Sequence, residues 1–253
     1  MSMAKREERE RRQQLVRLKA LAAGALILGA VVAVLLGIMR FASGPTFQVD
    51  SIEITGARHL TREAVIGLAA VPDGTSLLRV DGRAVRTRIE TDPWVASATV
   101  KRRLPDTLVI EVTEREPAAV IDTGGTDLWV VSADGYWLGE RTSAETGTLS
   151  IRDLEEVDPQ PGKRATSETL INAVQIAAGL SDELRARTRI ISAPTIERTA
   201  LILEDDIEVF IGDSEDLELK DRVAREILEE QKGRLVYINV RVVSSPTWRG
   251  LDP

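Results

Sequence analysis

Residues 91–117 read TDPWVASATVKRRLPDTLVIEVTEREP and form the most regularly patterned stretch of this chain. Apolar and polar side chains alternate on both sides of Pro105 and Asp106, as expected for two strands joined by a turn. The apolar positions of this alternation are Ala96, Ala98, Val100, Leu108, Ile110 and Val112. The stretch therefore predicts a β-hairpin, and none of its residues has the pattern of a catalytic or metal-binding site.

The residues before this hairpin predict a strand and two short helices. FQVDSIEITG, residues 47–56, has the composition of a strand that ends at a glycine. Thr61 and Asp81 are suitable N-caps for the helices, because their side-chain oxygens accept hydrogen bonds from the free N–H groups of a first turn. The predicted order over residues 46–117 is β-α-α-β-β, an α+β layer with helices on one face of a sheet.

The order of motifs in this region resembles the POTRA domain of the FtsQ/DivIB family of bacterial cell division proteins. The resemblance implies a non-enzymatic scaffold of the divisome that links early and late division proteins through FtsB-like and FtsL-like partners. It rests on residues spread over both arms of the hairpin: Pro93, Trp94, Val95, Ala98, Val100, Arg102, Pro105, Leu108, Ile110, Val112, Glu114, Arg115 and Pro117.

Residues 20–39 contain no charged side chain and predict a single transmembrane helix. Twenty helical residues span roughly 30 Å, the thickness of the hydrocarbon core of a bilayer. Residues 1–19 contain seven Lys/Arg, so the positive-inside rule places this tail in the cytoplasm and residues 41–253 outside the inner or plasma membrane. A cleaved signal peptide is disfavoured, because its apolar region is shorter and ends at a small-residue cleavage site.

Small residues recur at every fourth position of this apolar run, at Ala25, Gly29, Ala33 and Gly37. Such a stripe lets another helix approach closely. An Ala/Gly-rich helix that faces only lipid has the same composition, so both interpretations remain open.

Residues 118–253 predict a mixed α/β domain with an antiparallel-rich sheet. Asp134-Gly135 predicts a type I′ hairpin turn, and residues 140–165 predict a loop. Helices are predicted over residues 167–180, after Ser181 as a cap, and after Ser214 as a cap. Strands are predicted at RIISA, TALIL and IEVFIG, and a closing strand is predicted over residues 234–243.

This second region also resembles FtsQ, with two departures. Asn239 stands where the family usually has Asp, and Val242 stands where some members carry an aromatic residue. The resemblance implies that Arg241 forms a salt bridge with an acidic partner residue.

The closing strand of the chain offers a route to partner binding. A strand at a sheet edge has free N–H and C=O groups that can pair with an added strand of another chain. Val243 and Trp248 are the predicted apolar anchors, since Trp is frequent in binding hot spots. The predicted partner-binding residues are Tyr237, Arg241, Val242, Val243 and Trp248.

Composition excludes several kinds of chemistry. The chain has no Cys, which excludes thiolate metal sites and Cys catalysis, and its single His, His59, excludes a multi-His metal site. The net charge is −7, and −11 once residues 1–19 are set aside, which argues against nucleic acid as a partner. We predict no catalytic residue, metal or cofactor. A membrane-anchored cell-wall enzyme and a POTRA-type protein-assembly factor are the alternatives.

Overall fold

The computed structural model describes residues 24, 26–37, 39, 40, 45–123, 128–141, 148–155, 157–231, 233 and 235–250. These residues form two compact units. One unit contains the described residues up to Glu53 together with Ala70–Val85 and Val100–Ile110, and the other contains Ile54–Ala69, Arg86–Thr99 and the described residues from Glu111 onward. The predicted domain boundaries at residues 46, 117 and 118 stay predictions.

The predicted cytoplasmic tail, residues 1–19, lies outside the described residues, as does part of the predicted membrane helix, including Ala25. Residues 26–37 are helical, and the large apolar side chains among them are exposed. Within the described ranges, no helix has both the length and the apolar character needed to cross a membrane.

The first region has the predicted β-α-α-β-β order, which confirms the α+β class. Short 3-10 turns occur at Pro45–Phe47 and Leu77–Arg79, and the three strands pair in the order β1-β3-β2. The elements are β1 (Ser51–Thr55), α1 (Arg62–Ala69), α2 (Gly82–Ile89), β2 (Val95–Arg103) and β3 (Thr107–Glu114).

Both predicted helix caps are present. The Thr61 hydroxyl accepts a hydrogen bond from the backbone N–H of Ala64 at 3.2 Å. One carboxylate oxygen of Asp81 accepts from the N–H groups of Arg83 and Ala84 at 3.0 and 3.1 Å. These oxygens pair donors that have no partner inside a helix, so each helix begins directly after its cap.

The hairpin follows the predicted alternation on β3 but not at the start of β2. Leu108, Ile110 and Val112 are buried. On β2 the buried residues are Val95 and Ala98, whereas Ala96 is exposed, so the prediction for Ala96 is wrong. Two exposed residues, Ala96 and Ser97, thus separate the buried Val95 and Ala98, and the N–H of Ala98 donates to the Glu90 carboxylate at 3.0 Å.

A nine-stranded mixed sheet dominates the rest of the described chain. Its strand order is β12-β11-β10-β9-β8-β7-β4-β5-β6. Five of the neighbouring pairs are antiparallel and three are parallel. The strands are β4 (Pro117–Asp122), β5 (Leu128–Ser132), β6 (Trp137–Arg141), β7 (Leu149–Arg152), β8 (Thr188–Ser192), β9 (Ala200–Leu203), β10 (Glu208–Phe210), β11 (Leu235–Asn239) and β12 (Thr247–Gly250).

Three of these strands are absent from the sequence-based prediction: β4, β7 and β12. β7 lies within residues 140–165, which were predicted as a loop, and it pairs in parallel with both β4 and β8. A four-residue strand in the middle of a sheet is too short to show a period, because its character comes from its neighbours. β4 begins at Pro117, which the prediction placed at the end of the preceding hairpin.

Three helices belong to this region: α3 (Glu168–Gly179), α4 (Asp182–Arg187) and α5 (Leu217–Glu230). Ser181 caps α4 as predicted, with its hydroxyl accepting from the N–H of Leu184 at 3.3 Å. Ser214 does not cap α5, so that prediction is wrong. The N–H of Ser214 donates to the Asn172 side chain at 2.8 Å and its hydroxyl donates to Gln175 at 2.7 Å, and both acceptors lie on α3.

The β5–β6 turn differs in detail from the prediction. The hairpin turns through three residues, because Gly135 (φ 83°) donates to the carbonyl of Ser132 and Asp134 keeps a negative φ. This arrangement is a type I turn followed by a left-handed glycine, rather than the predicted type I′ turn.

The predicted closing strand over residues 234–243 is wrong in its extent and in its position at the sheet edge, because β11 pairs with β10 on one side and with β12 on the other. β11 ends at Asn239, whose side-chain oxygen accepts from the N–H of Arg241 at 3.2 Å. Such an Asx-type bond ends a strand by giving the backbone a local partner. A turn follows, in which Ser245 donates to the carbonyl of Val242, and the chain returns as β12 antiparallel to β11.

Candidate partner-docking edge

β12 is the outermost strand at one end of the nine-stranded sheet. Thr247, Trp248 and Arg249 are all exposed. One side of β12 pairs with β11, and its other side has no strand partner among the described residues. Main-chain N–H and C=O groups on this side are therefore available for pairing with another strand.

Trp248 ends a row of side chains that crosses the sheet. Through the strand register, Trp248 lies opposite Ile238, which lies beside Val209 and then Leu201. These three neighbours are completely buried, whereas Trp248 is 46% exposed. The core-facing row thus continues to the edge, but its last and largest side chain remains partly uncovered.

Arg241 lies two residues beyond the end of β11 and is exposed. Its Nε donates to the side-chain oxygen of Asn239 at 3.1 Å, and its Nη1 donates to the main-chain carbonyl of Glu197 at 3.2 Å. Its guanidinium carbon lies 5.9 Å from the ring centre of Phe210, within the range of a cation–π contact. These contacts hold the guanidinium group in one orientation.

The other predicted partner-binding residues lie nearby but differ in exposure. Val242 is 60% exposed, and Val243 is half-buried in the turn that follows. Tyr237 is half-buried on β11, where its ring meets Phe210 edge to face at 6.1 Å. The structure therefore places all five predicted residues on β11, on β12 or in the turn between them, and Tyr237 serves partly in packing.

The side chain of Arg241 packs against the loop between β10 and α5. An added Cβ at Gly212 would lie 3.0 Å from Cγ of Arg241. The buried Asn172 side chain donates to the carbonyl of Gly212 at 3.0 Å and accepts from the N–H of Ser214. The loop and the arginine stem therefore pack tightly, with the loop tied to helix α3.

The same loop contains a half-buried ion pair. Nζ of Lys220, on α5, donates to the carboxylate of Asp213 at 2.7 Å and to its main-chain carbonyl at 2.8 Å. The Lys220 side chain is only 3% exposed. The hydrogen bond from Lys220 lowers the pKa of the Asp213 carboxyl, against the opposing effect of burial. The Asp213 charge is thus matched by Lys220.

Residue-level reasoning from the sequence missed Phe210, Gly212 and Asn172 at this edge. A signal existed for Asn172, since it is a polar residue within an otherwise apolar helix face. The roles of Phe210 and Gly212 depend on Arg241, which follows about thirty residues later in the chain. No local pattern reports such a contact.

Across the described residues there is no group of three or more His, Asp or Glu side chains arranged to hold a metal ion. Glu204, Asp205 and Asp206, which form an acidic run in the sequence, are exposed in the β9–β10 turn. Asp205 and Asp206 pair with Arg187 and Arg189.

Comparison with known proteins identifies the class of protein that this chain resembles. The profile of the "POTRA domain, FtsQ-type" matches residues 47–115. "Cell division protein FtsQ" of Streptomyces griseus is 30% identical over 72% of this chain and 88% of its own length. The proteins of that name from Corynebacterium glutamicum and Mycolicibacterium smegmatis are 29% and 32% identical, over 76% and 74% of this chain and 83% and 53% of their own lengths.

The chain therefore contains an FtsQ-type POTRA domain, and it belongs to the FtsQ/DivIB family of cell division proteins. The α+β fold with a large sheet agrees with this membership, and the family resemblance predicted from the hairpin is confirmed.

Proposed function

We propose that this protein is a non-enzymatic, single-pass membrane scaffold of the bacterial divisome. It links early and late division proteins at the septum through protein–protein contacts, with FtsB-like and FtsL-like proteins as its extracytoplasmic partners. Other divisome proteins bind through the POTRA domain. The contact with the FtsB-like and FtsL-like partners forms by addition of a partner strand to β12.

The observation that carries this proposal is the free edge of β12 with the partly exposed Trp248. Monomeric proteins usually protect a sheet edge with charged residues, proline or a covering loop. Here an aromatic side chain on the core-facing row is 46% exposed at that edge. A docked strand satisfies the free main-chain groups, while an apolar partner side chain covers Trp248.

The membrane anchor in this proposal rests on the sequence. Residues 20–39 are uncharged and follow a tail with seven basic residues. This charge distribution favours a cytoplasmic N-terminus and an extracytoplasmic location for the sheet with its docking edge. The partners named above must therefore present their binding segments on the same side of the membrane.

Binding of the purified full-length chain to the extracytoplasmic segment of the organism's FtsB-like protein tests the proposal. We expect Trp248→Ala to weaken binding by about 30-fold, since truncating a hot-spot Trp costs about 2 kcal/mol or more. We expect Arg241→Glu to weaken it by at least about tenfold through charge repulsion. Isothermal titration calorimetry measures both, and circular dichroism checks that each variant is folded.

Arg164→Glu is the matched control for the charge reversal. Arg164 is exposed, and its backbone forms an isolated β-bridge with Tyr136. Tyr136 lies beside β6, at the opposite end of the sheet. Its reversal should leave the affinity within about twofold of wild type, since exposed charges beyond a Debye length of about 10 Å are screened. Unchanged binding of folded Trp248→Ala and Arg241→Glu would exclude β12 as the docking edge.

Peptidoglycan hydrolysis is the test of the enzyme alternative. A hydrolase of this type needs two carboxyl groups that face a common cleft. We expect the purified chain to release no soluble fragments from peptidoglycan. Release that a single carboxylate substitution abolishes would favour the membrane-anchored cell-wall enzyme.

A further inference from the structure

The turn of the β2–β3 hairpin presents an apolar side chain that the fold leaves uncovered. Leu104 is 62% exposed, the highest value of any large apolar residue among the described residues from Pro45 onward. Pro105 beside it is exposed too, and so are the three basic residues that precede it, Lys101 to Arg103. Neither the hydrophobic core nor the docking edge at β12 accounts for this turn.

The hairpin turn lies against the segment through which the chain enters this region. The N–H of Asp50, directly before β1, donates to the carbonyl of Asp106 at 3.0 Å. Asp106 directly follows Leu104 and Pro105 in the chain, and all these residues belong to one compact unit. The start of β1 and the exposed Leu104 are therefore at the same end of the three-stranded sheet.

A second exposed leucine lies beside the same entering segment. Gln48 forms an isolated β-bridge with Ser76. Leu78 follows Ser76 by two residues and is 42% exposed, and Arg79 after it is also exposed. Exposed leucines thus lie near the entering segment in two separate parts of the chain. The residues that form this entry surface are Leu78, Arg79 and residues 101–105.

Arg102 joins the hairpin to the turn that contains Leu78. Its Nη2 donates to the main-chain carbonyl of Val80 at 2.6 Å, directly after Arg79 in the chain. The acceptor is neutral, so the guanidinium group of Arg102 keeps its positive charge, whereas that of Arg103 is paired with Glu53. Arginine side chains bind phosphate oxygens through parallel N–H donors. Arginines beside exposed leucines match the headgroup region of a bilayer, where phosphate groups overlie apolar chains.

The length of the chain before β1 keeps the entry surface close to the proposed membrane anchor. Asp50 is only ten residues beyond Arg40, which directly follows the uncharged segment at residues 20–39. Ten fully extended residues span at most about 35 Å. The eight residues of β3 lead away from the turn and cover about 26 Å more. The entry surface is therefore at the end of this region that is attached most closely to the bilayer.

From these observations we propose that the entry surface lies on the bilayer in which the chain is anchored. Leu78 and Leu104 insert at the boundary between headgroups and acyl chains, and Arg79 and Arg102 bind lipid phosphate groups. This contact restricts the orientation of the three-stranded sheet relative to the membrane. The inference rests on the membrane anchor of the proposed function, but it does not involve the docking edge.

The test places the full-length chain in lipid nanodiscs and measures how close residue 104 is to the bilayer. The chain has no Cys, so Leu104→Cys provides a single site for an apolar fluorophore. Thr113→Cys, exposed near the other end of β3, is the control site. The discs contain phosphatidylcholine and phosphatidylglycerol in equal parts, with nitroxide-labelled lipid as the quencher. Co-elution of the chain with the discs verifies that it is anchored.

We expect quenching at position 104 to be at least about twofold stronger than at position 113, since interfacial side chains lie about 5–10 Å deep in the bilayer. Leu78→Ser and Arg79→Gln should each lower the ratio of docked to undocked chains by about fivefold. Leu219→Ser is the matched control, because Leu219 on α5 is also 42% exposed. It should leave the ratio within about twofold of wild type. Circular dichroism verifies that the variants are folded.

Two results would overturn the inference while leaving the proposed function in place. One is equal quenching at positions 104 and 113 in discs that contain the chain. The other is quenching at position 104 that neither Leu78→Ser nor Arg79→Gln reduces. Failure of the wild-type chain to co-elute with the discs would instead overturn the proposed membrane anchor and this inference together.

Discussion

Glu114 joins the end of β3 to the loop before α1. One of its carboxylate oxygens accepts from the N–H groups of Arg58 and His59 at 3.0 and 2.8 Å, and the other accepts from Leu60 at 2.8 Å. Burial raises the pKa of this carboxyl, but the three backbone hydrogen bonds outweigh burial and hold the pKa below its usual value. Glu114, the first residue of the EREP sequence at positions 114–117, therefore has a structural role.

Glu114→Gln should lower the free energy of unfolding at pH 7 by about 1 kcal/mol, because an amide accepts these bonds more weakly than a carboxylate. The folded-state pKa is depressed, so the stabilisation is present above the unfolded-state pKa of about 4.3 and is lost as pH falls through the lower folded-state pKa. Urea titrations at several pH values measure this. A difference that stays constant with pH would contradict the assignment to the ionised carboxylate.

Gly56, directly after β1, shows the effect of a close approach between two backbone segments. It has φ 85°, and an added Cβ would lie 1.9 Å from the carbonyl oxygen of Val112. A backbone oxygen within a paired strand cannot move away as the end of a side chain does. The residue must therefore be glycine for steric reasons as well as for its backbone conformation.

We expect Gly56→Ala to destabilise the fold by more than about 3 kcal/mol, and Gly74→Ala by about 1 kcal/mol. Gly74 is the matched control, since its φ is 74° but an added Cβ would meet nothing within 4 Å. Thermal and urea unfolding of the two variants separate the cost of the clash from that of the backbone conformation. Equal losses would contradict the role of Val112.

At the scale of elements, α5 is held by charged groups as well as by its apolar face. Lys220 and Asp221 are both buried on this helix. The Asp221 carboxylate accepts from the N–H and the hydroxyl of Ser181, each at 3.0 Å, and from Nε of Arg225 at 2.7 Å. These bonds fix α5 to the corner between α3 and α4.

The Lys220–Asp213 pair should respond unequally to removal of its two members. Asp213→Asn leaves a buried ammonium group without its counter-charge and should cost about 1–2 kcal/mol, reduced from the usual range because Asp213 is 53% exposed. Lys220→Met removes the buried charge and should cost less than about 1 kcal/mol. Urea unfolding compares them, and a larger loss for Lys220→Met would show that the ion pair itself is strongly stabilising.

At the scale of the whole molecule, the nine-stranded sheet has a buried centre and two different ends. Completely buried side chains form a row across its middle strands: Ile151, Ile191, Leu201 and Val209. At one end β12 is exposed. At the other end Val120, Val130 and Leu138 form a second small cluster, against which Trp94 packs. The β12 end thus combines an unpaired strand edge with the exposed aromatic side chain of Trp248.

Amide hydrogen exchange should reflect this difference between centre and edge. We expect slow exchange in β7, β8 and β9, and exchange at least about tenfold faster in β12, whose outer N–H groups have no strand partner among the described residues. Addition of the FtsB-like segment should slow exchange in β12 and leave β6, at the opposite end, unchanged. Protection of β6 instead of β12 would contradict our proposal, because the partner would then bind at the opposite end of the sheet.

Sequence patterns predicted the structural features that depend on residues close together in the chain. The hairpin period, the caps at Thr61 and Asp81, and the cap at Ser181 each involve groups a few residues apart, and the structure contains the hairpin and all three caps. The family resemblance rests on the same local order of motifs. The sequence predicted a single closing strand over residues 234–243 as the docking edge, whereas the structure pairs β11 on both sides and has β12 at the edge. The five partner-binding residues stay predictions.

The pairing of segments that lie far apart in the sequence depends on the tertiary fold. β7 is a strand because β4 and β8 lie on either side of it, and β11 ends at Asn239 because a side chain ends the ladder and lets the chain return as β12. The neutral surroundings of Arg241 combine residues from separate segments of the chain. Local periodicity carries no information about such contacts, because their free energy depends on groups brought together only when the chain has folded.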